Sequence, residues 1–565
     1  MARKGSRKVR TGCITCKIRK VKCDEAKPSC NRCVATGRKC DGYQTPTETP
    51  VSTPSYDLVP ASPYGPYRTF PGVGGSHSEG RALEYFCSTV GPFLSGSVDP
   101  YFWTHIVLQF SAFEPSVRHS LVAISNLYEQ IDGQGPASLR LQDQSFALQH
   151  YNAAINELKV INSRDKQPIV LIACVLFICI EFLQSNREAA VRHCKHGVAI
   201  LRNINREFSW TQEHLLPMFR RLSELVFYFG EKSDCPDLSG LERPVPAFFR
   251  TYDEAQLMID DIYHRTNQMI TLCDPYRSGP RRGDPVCDEI VATREHINRL
   301  LDVWHELFAN FSYRELYTTA TRATGSESQY RSKILRGFLI TRYESCRVWV
   351  NLALEPNEDG FDRFLPNFKR VAKVLKTIVA DVCQHERWRE ASAASAKFVF
   401  ETGFTPMLFT IVATCRHLET RLQILQLMPL LGRTRESLWE KDTMFTVGRR
   451  MVEIEHSICI DDCGYPLSRP STSWPPKRRR VIDVSISPFA ENRHVQGQRT
   501  TGKVVQFFQR SASGGLDVLE EFVVIRRSNP EQQDAEQFED PEASQPRMRS
   551  IAGPYAWDIH YPERK

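Results

Sequence analysis

Between residues 13 and 40 the chain reads Cys13-Ile-Thr-Cys16-Lys-Ile-Arg-Lys-Val-Lys-Cys23-Asp-Glu-Ala-Lys-Pro-Ser-Cys30-Asn-Arg-Cys33-Val-Ala-Thr-Gly-Arg-Lys-Cys40. The six cysteines repeat one unit, C-x2-C-x6-C, so the segment has an internal pseudo-symmetry. A C-x2-C pair lets two thiolates reach one ion from a tight turn, and the third sulfur arrives from the end of a short helix. Each half therefore offers three sulfurs, whereas zinc takes four in a tetrahedron. Two zinc ions need more ligand positions than six sulfurs supply unless two of them bridge. Cys13 and Cys30, which open the two halves, are the symmetric choice. Three disulfides would need an oxidising compartment, which no other feature supports. An iron–sulfur cluster would leave the flanking basic residues unexplained. A catalytic zinc keeps an open position and usually a His or carboxylate ligand, and residues 1–43 contain no His. Two separate one-zinc fingers would each be one ligand short.

The surroundings of these cysteines are strongly basic. Residues 1–43 carry 13 Lys/Arg against Asp24, Glu25 and Asp41, while the whole chain has a net charge of only +7, so the remainder is slightly acidic. A basic head on a weakly acidic body points to a polyanion bound at one end, with double-stranded DNA the leading candidate. Lys17, Arg19, Lys20 and Lys22 fall between Cys16 and Cys23. On a helix this short, which would be marginal alone in water, metal at both ends turns them into a rigid basic cap. A structural staple has no need of four cations there. Phosphate contacts would supply affinity and base contacts in the major groove specificity. Lys17 and Lys22 suit the first role. Arg7, Lys8 and Arg10 would reach the backbone or act in nuclear import.

The segments Thr11 to Cys23, Lys27-Pro-Ser-Cys30 and Gly37-Arg-Lys-Cys-Asp-Gly-Tyr43 resemble the fungal zinc binuclear cluster (Zn2Cys6) transcription factors, with all six cysteines and Pro28 in place. The resemblance implies two zinc ions, with Cys13 and Cys30 bridging, and a first helix whose end reads CGG-type triplets. The lysine three residues before the third cysteine is the family's principal base reader, and that position here is Lys20, with Arg19 beside it. Lysine or arginine donating to guanine is worth about 1–3 kcal/mol of discrimination. Arg81-Ala-Leu-Glu-Tyr-Phe86, Pro115 to Ala123, Ala189 to Gly197, Pro406 to Phe409 and Cys415-Arg-His417 resemble the all-α regulatory domain that follows such clusters. That implies a body which restrains activity, contacts co-regulators or the transcription machinery, and belongs to a regulator of metabolic or secondary-metabolite genes.

Composition divides the rest. From Gln44 to Gly80 seven prolines stand among Thr, Ser and Gly, which forbids a coiled coil and reads as a disordered linker over 44–80. The coiled coil that sets half-site spacing in many relatives is thus missing, and dimerisation, if any, falls to the helical body. Helical periodicity runs from 81 to about 460. Ile297, Leu300, Leu301, Trp304, Phe308 and Phe311 form one apolar face, and Leu148, Tyr151, Ile155 and Leu158 another. The expected fold is all-α: a cluster domain over 1–43, the linker, a helical regulatory domain over 81–460 and a mostly disordered tail over 461–565. Within that tail, 504–508 and 522–525 read as short strands or helix ends, and the acidic string 531–542 as a weak activation segment. Lys477, Arg478, Arg479 and Arg480 form a compact basic string, the signature of a nuclear localisation signal.

Other classes find little support. The chain opens Met1-Ala2-Arg3-Lys4 with no apolar core, so a secretory signal is not expected. The longest apolar run, Ile169 to Ile180, is too short for a membrane span of about 20 residues. Cysteines outside the head, such as Cys174, Cys179, Cys346 and Cys415, sit within apolar stretches and read as packing. His193 and His196 share a helix face, but no further ligand accompanies them, and they read as packing or surface residues. No phosphate-loop, nucleophile-elbow or dinucleotide motif is present, and the protein is not expected to be an enzyme.

Overall fold

The computed structural model describes, with short breaks, residues 13–40, 76–526 and 547–551. Lys17, Arg19, Lys20, the Pro-rich stretch as far as 75 and the acidic string 531–542 lie outside the described residues. The chain forms two compact units, Met1–Pro60 and Ala61–Lys565. The first holds the cysteines and a one-turn helix, α1 (Asn31–Val34).

Among the described residues the second unit opens with α2 (His77–Tyr85), which begins inside the stretch assigned to the linker and runs on past its end at 80. Its start is fixed by a capping box: the Glu79 N–H donates to Ser76 Oγ at 3.3 Å, and the Ser76 N–H donates to Glu79 Oε2 at 2.9 Å. The Ser-x-x-Glu pattern that produces it is visible in the sequence. There follow α3 (Pro115–Glu129), α4 (Ser145–Lys159), α5 (Gln167–Leu183), α6 (Arg187–Asn203) and α7 (Leu216–Phe229). Then come α8 (Tyr252–Arg277), α9 (Asp288–Thr319), α10 (Glu327–Leu352) and α11 (Leu365–Cys383). The last three are α12 (Phe404–Thr414), α13 (Leu418–Leu431) and α14 (Lys441–His456).

Helix α5 is buried along nearly its whole length, which explains its unbroken apolar run. Among the described residues no helix is long and apolar enough to cross a membrane. The α9 stripe is buried as its periodicity predicts. Trp304 donates from Nε1 to the Ala255 carbonyl at 2.8 Å and stacks on Phe308, with ring centroids 4.5 Å apart. On α4 the buried face is rotated from the expected one: Leu148 is 40% exposed, and Ala147, His150, Tyr151 and Ala154 face inward. The small alanines let neighbouring helices approach closely enough to seat a histidine there.

Charges lock the middle of the bundle. Arg221 on α7 pairs with Glu401 at 2.9 Å and with Asp260 of α8 at 3.2 Å. Arg342 on α10 pairs with Glu224 of α7 and with Asp260, and lies over the Tyr263 ring. Each of these ions has several partners, as burial of charge requires. Glu436 plays a similar part for α12. Its buried carboxylate accepts the N–H groups of Gly403 and Thr405 at 3.0 and 2.9 Å, satisfying orphan donors at the helix start, and also that of Arg433 at 2.9 Å.

Beyond residue 480 the chain departs from the all-α expectation, and the disordered tail assigned to 461–565 is corrected over most of its described part. Strands β1 (Val481–Ile486), β2 (Glu491–Val495), β3 (Gln498–Arg510), β4 (Leu516–Val524) and β5 (Arg547–Ile551) form an antiparallel sheet. Its order is β1-β3-β4-β5, with β2 paired to the first part of β3. Val505, Phe507, Leu519 and Val523 pack on Val447 and Met451 of α14, while Ile482, Phe508 and Val518 form a second cluster. At the junction, Glu455 of α14 accepts the Val481 N–H at 2.8 Å and pairs with Arg421, and Arg416 donates to the Val481 carbonyl at 2.8 Å.

Candidate metal centre and nucleic-acid interface

All six cysteines of the N-terminal unit converge. Their sulfurs fall into two quartets, Cys13, Cys16, Cys23 and Cys30 in one, and Cys13, Cys30, Cys33 and Cys40 in the other, with the sulfurs of each quartet within 4.8 Å of one another. Only Cys13 and Cys30 belong to both. The Cys13–Cys30 separation is 3.6 Å, Cys16–Cys30 3.7 Å and Cys13–Cys33 3.9 Å. A tetrahedron with Zn–S bonds of about 2.3 Å has sulfur–sulfur edges of about 3.8 Å, whereas a disulfide would bring the atoms to about 2.05 Å. The donor set therefore fits two zinc ions with two bridging thiolates.

Backbone donors repeat the pseudo-symmetry of the sequence. The Cys16 N–H donates to Cys13 Sγ and the Cys33 N–H to Cys30 Sγ, both at 3.3 Å. Likewise the Cys13 N–H reaches Cys23 Sγ and the Cys30 N–H reaches Cys40 Sγ, both at 3.4 Å. Six thiolates outweigh two divalent ions, and these N–H groups face the surplus negative charge. Without metal, desolvation pushes the Cys13 thiol up to about 12 and raises Cys16 and Cys30 as well. A cation is needed to hold such buried sulfurs as thiolates, so metal binding and folding of this unit are one process.

One contributor escaped the sequence reading. Asp24 directly follows Cys23, and its carboxylate accepts the N–H groups of Asn31 and Arg32 at 3.0 and 3.2 Å, capping α1 from across the cluster. Desolvation opposes its ionisation, but the Arg32 and Asn31 donors prevail and hold its carboxyl below the ordinary value. The residue lies seven positions before the helix it caps, so no local capping pattern announces it. Thr15 Oγ1 donates to the Lys39 carbonyl at 3.4 Å, a further tie between the halves.

Of the four cations assigned to DNA, Lys22 is described and exposed just before Cys23; Lys17, Arg19 and Lys20 lie outside the described residues. Lys27, Arg32 and Lys39 are exposed on the same small unit. The basic string of the second unit is less free than its sequence suggests. Lys477 pairs with Asp359 at 2.6 Å, and Arg480, only 6% exposed, pairs with Asp359 and Asp362 at 2.8 Å each. Arg478 and Arg479 are exposed. Neither His193 nor His196 belongs to a metal-like grouping among the described residues; His193 packs edge-on against Phe177 and lies 3.3 Å from the Tyr151 hydroxyl.

Residues 11–50 match the family model of the fungal Zn(2)-Cys(6) binuclear cluster domain. The chain is 29% identical to an "Aspercryptin biosynthesis cluster-specific transcription regulator" of Emericella nidulans, over 54% of each chain. It is 28% identical to a "Transcription regulator" of Purpureocillium lilacinum, over 33% of this chain and 48% of the other. A "Transcriptional regulatory protein" of Schizosaccharomyces pombe is 38% identical over 10% of this chain and 13% of its own length. The chain thus spans about half the length of the first two relatives. No solved structure matches. With its six cysteines arranged as two quartets around a shared pair, the segment 11–50 is a fungal Zn(2)-Cys(6) binuclear cluster domain, and the relatives that this chain resembles are named as transcription regulators.

Proposed function

We propose that this regulator binds double-stranded DNA in the nucleus through its zinc cluster, reads CGG-type triplets and controls RNA polymerase II transcription of a metabolic gene set. The observation that carries the proposal is the pair of sulfur quartets sharing Cys13 and Cys30. Two zinc ions there would hold the Cys16–Cys23 segment rigid at both ends, and that segment carries four cations in six residues. Lys20, with Arg19 beside it, donates to guanine, while Lys17 and Lys22 contact phosphates. The secondary-metabolite direction is supported by the name of the Emericella relative. The helical body restrains activity, contacts co-regulators and is the place for any homodimer contact. Import uses the string Lys477–Arg480, whose Lys477 and Arg480 must leave Asp359 and Asp362 to be read.

A genome-wide map of bound sites, made with the wild-type chain and with Cys30→Ser, tests the reading. Enrichment of triplets next to one cluster of biosynthetic genes, lost in the variant, is expected. A map without triplet enrichment overturns the base readout, and the same map for both proteins overturns the cluster's role in DNA binding.

A further inference from the structure

Among the described residues outside the cysteine cluster, one group of metal-ligating side chains converges from three separate helices. Glu79 stands in the first turn of α2, His119 on α3 and His150 on α4, and one donor atom from each lies within 4.8 Å of the other two. The two imidazoles face each other with Nδ1 atoms 2.9 Å apart. Glu79 Oε1 lies 3.7 Å from Nε2 of His150, while its other oxygen is held by the Ser76 N–H. Phe146 packs edge-on against His150 at a centroid distance of 4.6 Å and fixes the ring's orientation.

We infer that Glu79, His119 and His150 form a metal site in the helical body for a divalent transition cation of the zinc class. Two imidazoles and a carboxylate are a familiar zinc donor set, leaving one tetrahedral position for water or a small anion. Zinc–nitrogen bonds of about 2.0–2.1 Å separate two imidazole nitrogens by about 3.3 Å, so the pair opens by a few tenths of an ångström to admit the ion. The unusual inward face of α4 also finds its reason here, since it turns Leu148 outward and seats His150 against α3. A bound ion would clamp α2, the helix following the Pro-rich stretch, onto α3 and α4, adding to the exposed Arg81–Glu129 pair at 2.8 Å. Metal supply would then set how firmly that first helix is held.

The inference is independent of which DNA sequence the protein reads, and a stoichiometry tests it. Full-length protein is equilibrated with zinc, freed of excess by gel filtration and subjected to elemental analysis, alongside His119→Gln, His150→Gln and Glu79→Gln. Wild type is expected to hold one zinc more per chain than either histidine variant. Glu79→Gln, which keeps the capping geometry, is expected to bind that ion at least about tenfold more weakly, as metal sites respond even to outer-sphere changes. Added zinc should raise the melting temperature of wild type and not that of the histidine variants. Circular dichroism checks that helix content is unchanged. If all chains hold equal zinc and melt alike with it, the pair is a plain histidine–histidine hydrogen bond and the site does not exist.

Discussion

Cys13 and Cys30 differ from the other four ligands because each belongs to both sulfur quartets. Cys30→Ser is therefore expected to weaken both metals together and unfold the head, whereas Cys40→Ser leaves the first quartet intact and should retain about one zinc. Elemental analysis of the two variants separates shared from unshared ligands; equal losses would contradict the bridging assignment. The same residue-scale logic divides the cations. On the proposed base-reading role, Lys20→Ala should relax preference at a guanine and cost about 1–3 kcal/mol. Lys22→Ala removes an exposed charge, so it should weaken binding to all sequences alike and lower the salt slope by about 1. Competition binding on a randomised library decides, and identical sequence preferences for wild type and Lys20→Ala would remove Lys20 from the base-reading role.

Elements whose stabilising partners lie nearby in sequence are the ones the sequence reveals. The α9 face was readable because its aromatic and aliphatic residues recur at helical spacing, and the cluster because its ligands are spaced by the turns that hold them. The C-terminal sheet was readable only in part: 504–508 and 522–525, read as short strands or helix ends, fall on β3 and at the end of β4, but their extent and pairing were not visible. Gln506 interrupts the apolar run of β3, and β4 carries Asp517, Glu520 and Glu521; what commits these stretches to strands is the surface of α14, more than fifty residues upstream. Asp24 and Glu436 were hidden for the same reason, since both cap a helix from outside its own sequence window. The sheet's attachment depends on Glu455. Burial raises its pKa, but Arg416, Arg421 and the Val481 N–H outweigh that and leave it lowered. A lowered carboxylate stabilises the fold above its unfolded value near 4.5, and this contribution is lost as pH falls through the folded value. Hydrogen exchange at Val481 is thus expected to accelerate as the medium is acidified below about pH 4.5. Glu455→Gln should destabilise the protein by about 3–5 kcal/mol at neutral pH, because it leaves Arg421 buried without its counter-ion; a loss under 1 kcal/mol in urea unfolding would show that the junction is not held by that pair.

At the scale of the whole molecule, the sequence separates a basic head from a larger body, and the structure keeps them as two units. Many cluster regulators fix the distance between two half-sites with a coiled coil beside the cluster, but here seven prolines occupy that place. The head alone therefore has no built-in ruler. A fragment of residues 1–75, ending before the Ser76 cap of α2, is expected to be monomeric and to protect one triplet. Any preference for paired triplets should arise only in the full chain, through contacts between helical bodies. Even then the spacing should be loose: thirty-odd residues of proline-rich chain, at about 3.1 Å each where extended, reach up to about 100 Å. Two heads tethered in that way tolerate many separations. Binding to paired triplets at graded spacings, measured for the fragment and for the full chain, tests this directly. A sharp optimum for the fragment would reveal a dimer element within residues 1–75, and a sharp optimum for the full chain alone would mean that the bodies hold the heads at a fixed distance.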